Sequence, residues 1–183
     1  VMHPIGLAQS MASLADMAPG RVVCGLGTGD KTTLDMVSIP REKPLRTIRE
    51  TVQIVREITA GKRLTLDGKI YQISGVKLNF KISEPIPIFI GAQGPKMLSL
   101  AAEIGDGILI NASNPKDFEP AFVHIREGLE KGGKDSKDVE VVAATAFSID
   151  KDIEKARKAA IPVAAFIVAG CPETILERHG LSI

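Results

Sequence analysis

The sequence predicts an α/β protein built from repeated βα units, and three observations carry that expectation. Strand-type and helix-type patterns alternate along most of the chain. The β-type segments are continuous apolar runs, such as Ile86-Pro-Ile-Phe-Ile, as in parallel strands covered by helices on both faces. The run ending at Ile90 passes through Gly91-Ala-Gln-Gly94, and Pro95 then opens an amphipathic helix. Two architectures satisfy these patterns: a doubly wound open sheet, and part of a (β/α)8 TIM barrel. A complete barrel takes about 250 residues, whereas this chain has 183. In both architectures ligands sit at the carboxyl ends of the strands. The functional residues are therefore expected just after each strand.

Each element follows from local patterning. Residues 3–15 carry Ile5, Leu7, Ala8, Met11, Leu14 and Ala15 at helical spacing, with Pro4 in the first turn and Pro19-Gly20 beyond the end. Residues 22–26 form a short strand bounded by glycines. Residues 43–60 give the clearest helix: Leu45, Ile48, Val52, Val55 and Ile58 share one stripe, Pro44 starts it and Gly61 follows it. Residues 62–84 are an excursion, with Asp67-Gly68 between two β-type segments as a hairpin signal. The alternating Val76, Leu78 and Phe80 extend that small surface sheet. The βα alternation then resumes: strand 86–90, helix 95–104, strand 107–111, helix 115–131, strand 139–149 and helix 152–169. A last helix and turn lie in 173–183. The whole of 1–183 reads as one domain, with 62–84 inserted in it.

Composition excludes several classes. The net charge is +1, from 23 basic and 22 acidic residues, which gives no electrostatic case for nucleic acid or an anionic membrane. Aromatic residues make up 4% with no Trp, which argues against base-stacking platforms. No apolar run approaches the ~20 residues of a membrane span, and no signal-peptide pattern is visible. Cys24 and Cys171 make no CxxC pair, which fits a reducing, cytoplasmic setting. His3, His124 and His179 lack metal-ligand spacing. The chain begins at Val1 within helical patterning, as a piece of a longer protein would.

The strand ends carry the candidate chemistry. Gly25-Leu-Gly-Thr-Gly-Asp30 is either a plain tight turn or a glycine-lined floor whose backbone lets a flat ring or a phosphate approach. It departs from a dinucleotide fingerprint: Asp30 replaces the third glycine, no helix is expected to begin directly, and no acidic residue closes a second strand about 20 residues on. Asp30 is the leading acid/base candidate by its position, with a turn cap as the alternative. At Gly91, Ala92, Gln93 and Gly94, backbone N–H groups and the helix dipole favour an anion. Gln93 either hydrogen-bonds a ligand carbonyl or faces solvent. Ser113 or Asn114 caps the helix at Pro115, and Asn111 is a weaker ligand candidate. Glu103 and Asp106, either side of Gly105, read as turn chemistry, and 131–138 as a solvated loop.

A longer set of residues resembles a known family. His3-Pro4, Ala8 to Leu14, Gly20-Arg21, Gly25-Leu-Gly, Gly91-Ala-Gln-Gly-Pro-Lys-Met-Leu and Ala101-Ala-Glu-Ile-Gly-Asp-Gly107 are similar to the bacterial-luciferase-like superfamily. Within it, the run from Gly91 to Asn114 and the tail Ala165-Phe-Ile-Val-Ala-Gly-Cys-Pro with Leu176-Glu-Arg-His-Gly180 resemble the coenzyme F420-dependent 5,10-methylenetetrahydromethanopterin reductases of methanogenic and related archaea. The resemblance covers nearly the whole chain. It implies part of a (β/α)8 barrel, about strands 4–7 with their helices, and an incomplete cofactor pocket. It implies hydride transfer from reduced coenzyme F420 to a pterin-bound one-carbon group. It assigns Thr28, Gly29 and Gly91 to Gly94 to the cofactor and Asp30 to catalysis, with no metal. It further implies a homo-oligomer at full length. Two alternatives accompany this reading: an FMN-dependent monooxygenase of the same superfamily, and an inactive fragment or binding module.

Overall fold

The computed structural model describes residues 2–111, 114–171 and 173–181. They divide into two compact units: 1–90 with 104–107, and 91–103 with 108–183.

The first unit opens with α1 (Pro4–Met17), capped by His3, whose Nδ1 accepts from the Ile5 N–H at 3.2 Å. β1 (Cys24–Leu26) follows, then the short α2 (Lys31–Met36) and the long α3 (Pro44–Thr59). α1 buries Ala8, Ala12 and Ala15 and packs against α3, whose stripe of Ile48, Val52, Val55 and Ile58 is buried. Small residues on one helix let it lie close to the branched side chains of the other. β2 (Leu64–Asp67) and β3 (Gln72–Val76) form an antiparallel hairpin. β4 (Ile88–Gly91) pairs parallel with β1 in the register Cys24 with Ile88 and Leu26 with Ile90. Asp106 fastens the start of β4. Its carboxylate accepts the Ile88 N–H at 2.8 Å and pairs with Arg56 at 2.9 Å, and its own N–H donates to the Ile88 carbonyl at 2.8 Å. This is the turn chemistry expected of Asp106.

The second unit contains α4 (Pro95–Ile104), β5 (Gly107–Asn111), α5 (Pro115–Gly132), β6 (Glu140–Ala144), α6 (Ile153–Ala169) and α7 (Glu173–Arg178). β5 and β6 are neighbours in the sheet. Asn114 caps α5 by accepting from the Lys116 N–H at 3.0 Å, and Asp152 caps α6 through Glu154 and Lys155. Ser113, the other capping candidate, lies outside the described residues. α5 passes close to α4 through Gly128 and Gly132. A Cβ on Gly128 would overlap the Ser99 carbonyl, and one on Gly132 would come to 2.7 Å from the Glu103 carbonyl.

Six expectations are corrected. A helix does begin directly after the first glycine run: Asp30 is the N-cap of α2, because its carboxylate reaches the Thr33 N–H three residues on. The first strand starts at Cys24, not 22, and the fourth at Ile88, not 86. The hairpin does not turn in two residues at Asp67-Gly68. Residues 68–71 form the connection, closed by Gly68 N–H to the Tyr71 carbonyl at 2.9 Å. Strand pairing ends at Val76, so Leu78 and Phe80 do not extend it. The strand expected over 139–149 stops at Ala144, and the apolar residues beyond it, Phe147 and Ile149, are exposed.

Candidate functional site

In the first unit, Thr28, Gly29 and Asp30 follow β1, at the carboxyl end of that strand. Gly29 has φ +76°, a left-handed conformation that glycine adopts without a Cβ penalty. Thr28 Oγ1 accepts from the Arg41 guanidinium at 2.8 Å. Asp30 Oδ2 accepts from both the N–H and the hydroxyl of Thr33, at 2.7 and 2.9 Å. The Thr33 backbone N–H, then its hydroxyl, and to a smaller extent Arg41 pull the Asp30 carboxyl below the usual carboxylate range, against a small opposing effect of burial. Asp30 is therefore ionised at neutral pH. In this conformation it is a poor proton donor. Of the two readings given for Asp30, the cap is what the geometry shows: it caps α2, after the carboxyl end of β1.

The glycines around it leave room. A Cβ built on Gly25 or Gly27 would meet nothing within 4 Å. The backbone there is open to direct approach by a flat group.

In the second unit, the turn from Gly91 to Gly94 joins β4 to α4. The Ala92 N–H donates to the Leu109 carbonyl at 3.0 Å. Gly94 accepts the first helical bonds, from Met97 and Leu98, both at 3.0 Å, and a Cβ on it would also meet open space. The first N–H groups of a helix have no acceptor within the helix, so the α4 start is suited to an anion. Gln93 does not simply face solvent. Its amide nitrogen donates to the Asn111 carbonyl at 3.2 Å and lies 3.9 Å from Cys171 Sγ.

Gln93 and Asn111 form the floor of a cavity of about 130 Å³ walled by α4, α5 and α7. Leu98 and Ile110 give it apolar surface, while His124, Cys171 and Arg178 add polar groups. Cys171 is held as a neutral thiol: burial raises its pKa first and the Asp117 charge second, with the Gln93 amide partly offsetting them. Burial likewise raises the Cys24 thiol.

Sequence reading missed the cluster beside this cavity. Asp117 is 7% exposed and takes Arg178 Nη1 at 2.7 Å and His179 Nε2 at 3.0 Å. The partners are 61 and 62 residues away in the chain, and no local motif announces such a contact. The adjacent pair Arg178-His179 was visible only as part of the family-like tail. His124 pairs with Glu127 at 3.4 Å. Among the described residues no group of His, Cys, Asp and Glu is arranged to hold a metal ion.

The sequence pattern of the luciferase-like monooxygenase family matches residues 1–180. The chain belongs to that family. It is 53% identical over 181 residues to the 5,10-methylenetetrahydromethanopterin reductase of Archaeoglobus fulgidus, covering 99% of this chain and 54% of that protein. Its fold matches the coenzyme F420-dependent tetrahydromethanopterin reductase from Methanopyrus kandleri with a TM-score of 0.91 at 38% identity, over 100% of this chain and 57% of that one. An F420-dependent secondary alcohol dehydrogenase, solved with an F420–acetone adduct, matches with a TM-score of 0.78 at 27% identity, over 86% and 49%. The chain thus spans about half the length of the relatives it matches. Its fold is that of the TIM-barrel reductases: α/β, with parallel strands and a small antiparallel hairpin.

Proposed function

We propose that this chain serves the reduction of methylenetetrahydromethanopterin to its methyl derivative, with reduced coenzyme F420 as donor. The observation that carries the reading is the 53% identity, sustained over 99% of the chain, to an enzyme named for that reduction. When bound, reduced coenzyme F420 would supply a hydride from its C5 to the one-carbon bridge, the opening of one bridge C–N bond being balanced by a proton gained at the nitrogen released.

The chain's own residues position and shield. Gly25, Gly27 and Gly94, each with open space where a side chain would stand, would let a flat ring lie directly against backbone. Thr28, Gly29 and the turn from Gly91 to Gly94 would hold the cofactor, with the α4 N-terminus facing its anionic part. Gln93 is braced by Asn111 and Cys171, so its side chain is fixed before a ligand arrives, which lowers the ordering cost of binding. Asp30, ionised by its Thr33 bonds, would stabilise the positive charge that develops on the nitrogen still bonded to the one-carbon group as the bridge opens. By the same reading the protein is cytoplasmic, a homo-oligomer at full length, and acts on a small-molecule pterin. No helix among the described residues is long and apolar enough to cross a membrane.

The test is a titration with coenzyme F420 and, separately, with FMN, followed by absorbance and fluorescence. Methylenetetrahydromethanopterin is then added to the reduced complex. The reading expects F420 to bind and its reduced form to be consumed on adding the pterin. Tight FMN binding without F420 binding overturns it in favour of a monooxygenase. Binding of neither marks a non-catalytic module.

A further inference from the structure

The cavity floored by Gln93 and Asn111 has one wall unlike the others. α4 and α5 are well seated: α4 buries Leu98, Leu100, Ala101 and Ala102, and α5 buries Ala121, Ile125 and Leu129. The third wall, from α7, presents Thr174, Ile175 and Arg178, and α7 buries only Leu176. Apolar contact is therefore thin across this stretch. What fastens α7 is ionic. The Asp117 carboxylate on α5 receives Arg178 at 2.7 Å and His179 at 3.0 Å. Such a fastening differs from apolar packing: it breaks as a unit when one partner is removed, because the remaining charge is left buried.

We propose that α7 is a strap closed over this cavity and latched by Asp117 to Arg178 and His179, and that unlatching admits a ligand group to the floor at Gln93 and Asn111. A cavity of about 130 Å³ suits a ring or a short polar chain, in the size range of small apolar guests known for protein cavities. The latch residues position the strap and need not touch the ligand. The proposal does not rest on the reductase reading, since it concerns access to the cavity whatever enters it.

Cysteine labelling of the full chain tests it without any ligand. Cys171 lines the cavity, while Cys24 is 0% exposed, so Cys24 labelling reports unfolding of the first unit, and amide exchange of α5 in each variant reports unfolding of the second. In Arg178→Gln, Cys171 should label about tenfold faster than in the parent, with Cys24 still protected. The sign is diagnostic. Losing a cation near the thiol while Asp117 keeps its charge would by itself slow labelling, so acceleration reports opening. Asp117→Asn is the second variant, compared at a pH high enough to ionise the thiol in both proteins, and should also accelerate. Unchanged or slower labelling of Cys171 in Arg178→Gln, or no acceleration in Asp117→Asn, overturns the proposal. If both variants also expose Cys24, amide exchange of the parent decides. Exchange of α7 amides through an opening that leaves α5 protected supports the strap, and joint exchange of α7 and α5 overturns it.

Discussion

Glu50 in the first unit and Asp117 in the second are 5% and 7% exposed, and each fastens a segment distant in sequence to its own helix. Their donors differ in kind. Glu50, on α3, accepts the backbone N–H groups of Lys69, Ile70 and Tyr71 at 2.9, 2.9 and 3.0 Å, and so grips the hairpin connection. Asp117, on α5, is met by two side-chain cations instead. Backbone donors are fixed in place and carry no counter-charge, so Glu50 keeps its charge through hydrogen bonds, with Arg46 a distant helper at 4.0 Å. Burial pushes the Glu50 carboxyl up, yet the Tyr71, Ile70 and Lys69 N–H groups together more than offset it, and it ends below the usual range. Backbone donors thus hold the connection in the first unit, and side-chain ion pairs hold α7 in the second.

Substitutions sharpen this contrast. Glu50→Ala strands three partly buried N–H groups and removes a charge that satisfied them, so denaturant unfolding should show a loss of about 3 kcal/mol. Equal stability of Glu50→Ala and the parent would mean that the hairpin connection holds itself. Asp117→Asn should cost less, about 2 kcal/mol, because Arg178 is 35% exposed and regains water when unpaired. That loss should be confined to protection of α7, whereas the Glu50 loss should reach α3.

Acid probes the Glu50 anchor directly. The folded Glu50 pKa is depressed, so its contribution is fully present above the unfolded value of about 4.3 and is lost as pH falls through the lower folded value. A stability profile of Glu50→Gln should therefore run parallel to the parent near neutrality and converge on it in acid. Parallel curves throughout would rule out this linkage. Asn114→Ala, which removes only a cap on α5, is the smallest of the series at about 1 kcal/mol.

The same contrast explains what was legible from the chain. Local contacts announce themselves. Asn114 before Pro115, His3 before Pro4 and the glycine turn before Pro95 were readable, because a cap and its target lie within three residues. α4 and β5 fall on the residues that their periodicity marks. Asp30 followed the same local rule, as a cap three residues before Thr33, but the glycine run around it masked the short helix it starts. Contacts between distant segments carry no such mark. Nothing near Glu50 points to residues 69–71, so the hairpin turn was placed at Asp67-Gly68 when the grip of α3 sets it at 68–71. Nothing near Asp117 points to Arg178 and His179. The glycines Gly128 and Gly132 likewise lie inside a helix and gain their purpose only from the close approach of α4.

Gly25, Gly27 and Gly94 have open space where a side chain would stand, and the proposed cofactor would lie against that bare backbone. Gly94→Ala probes this contact. The new methyl group would meet open space, and its position at the start of α4 limits the stability cost to under about 1 kcal/mol. Circular dichroism of Gly94→Ala should show an unchanged fold, and a fluorescence titration should show F420 binding weakened by about tenfold or more. F420 binding as tight in Gly94→Ala as in the parent would contradict that contact.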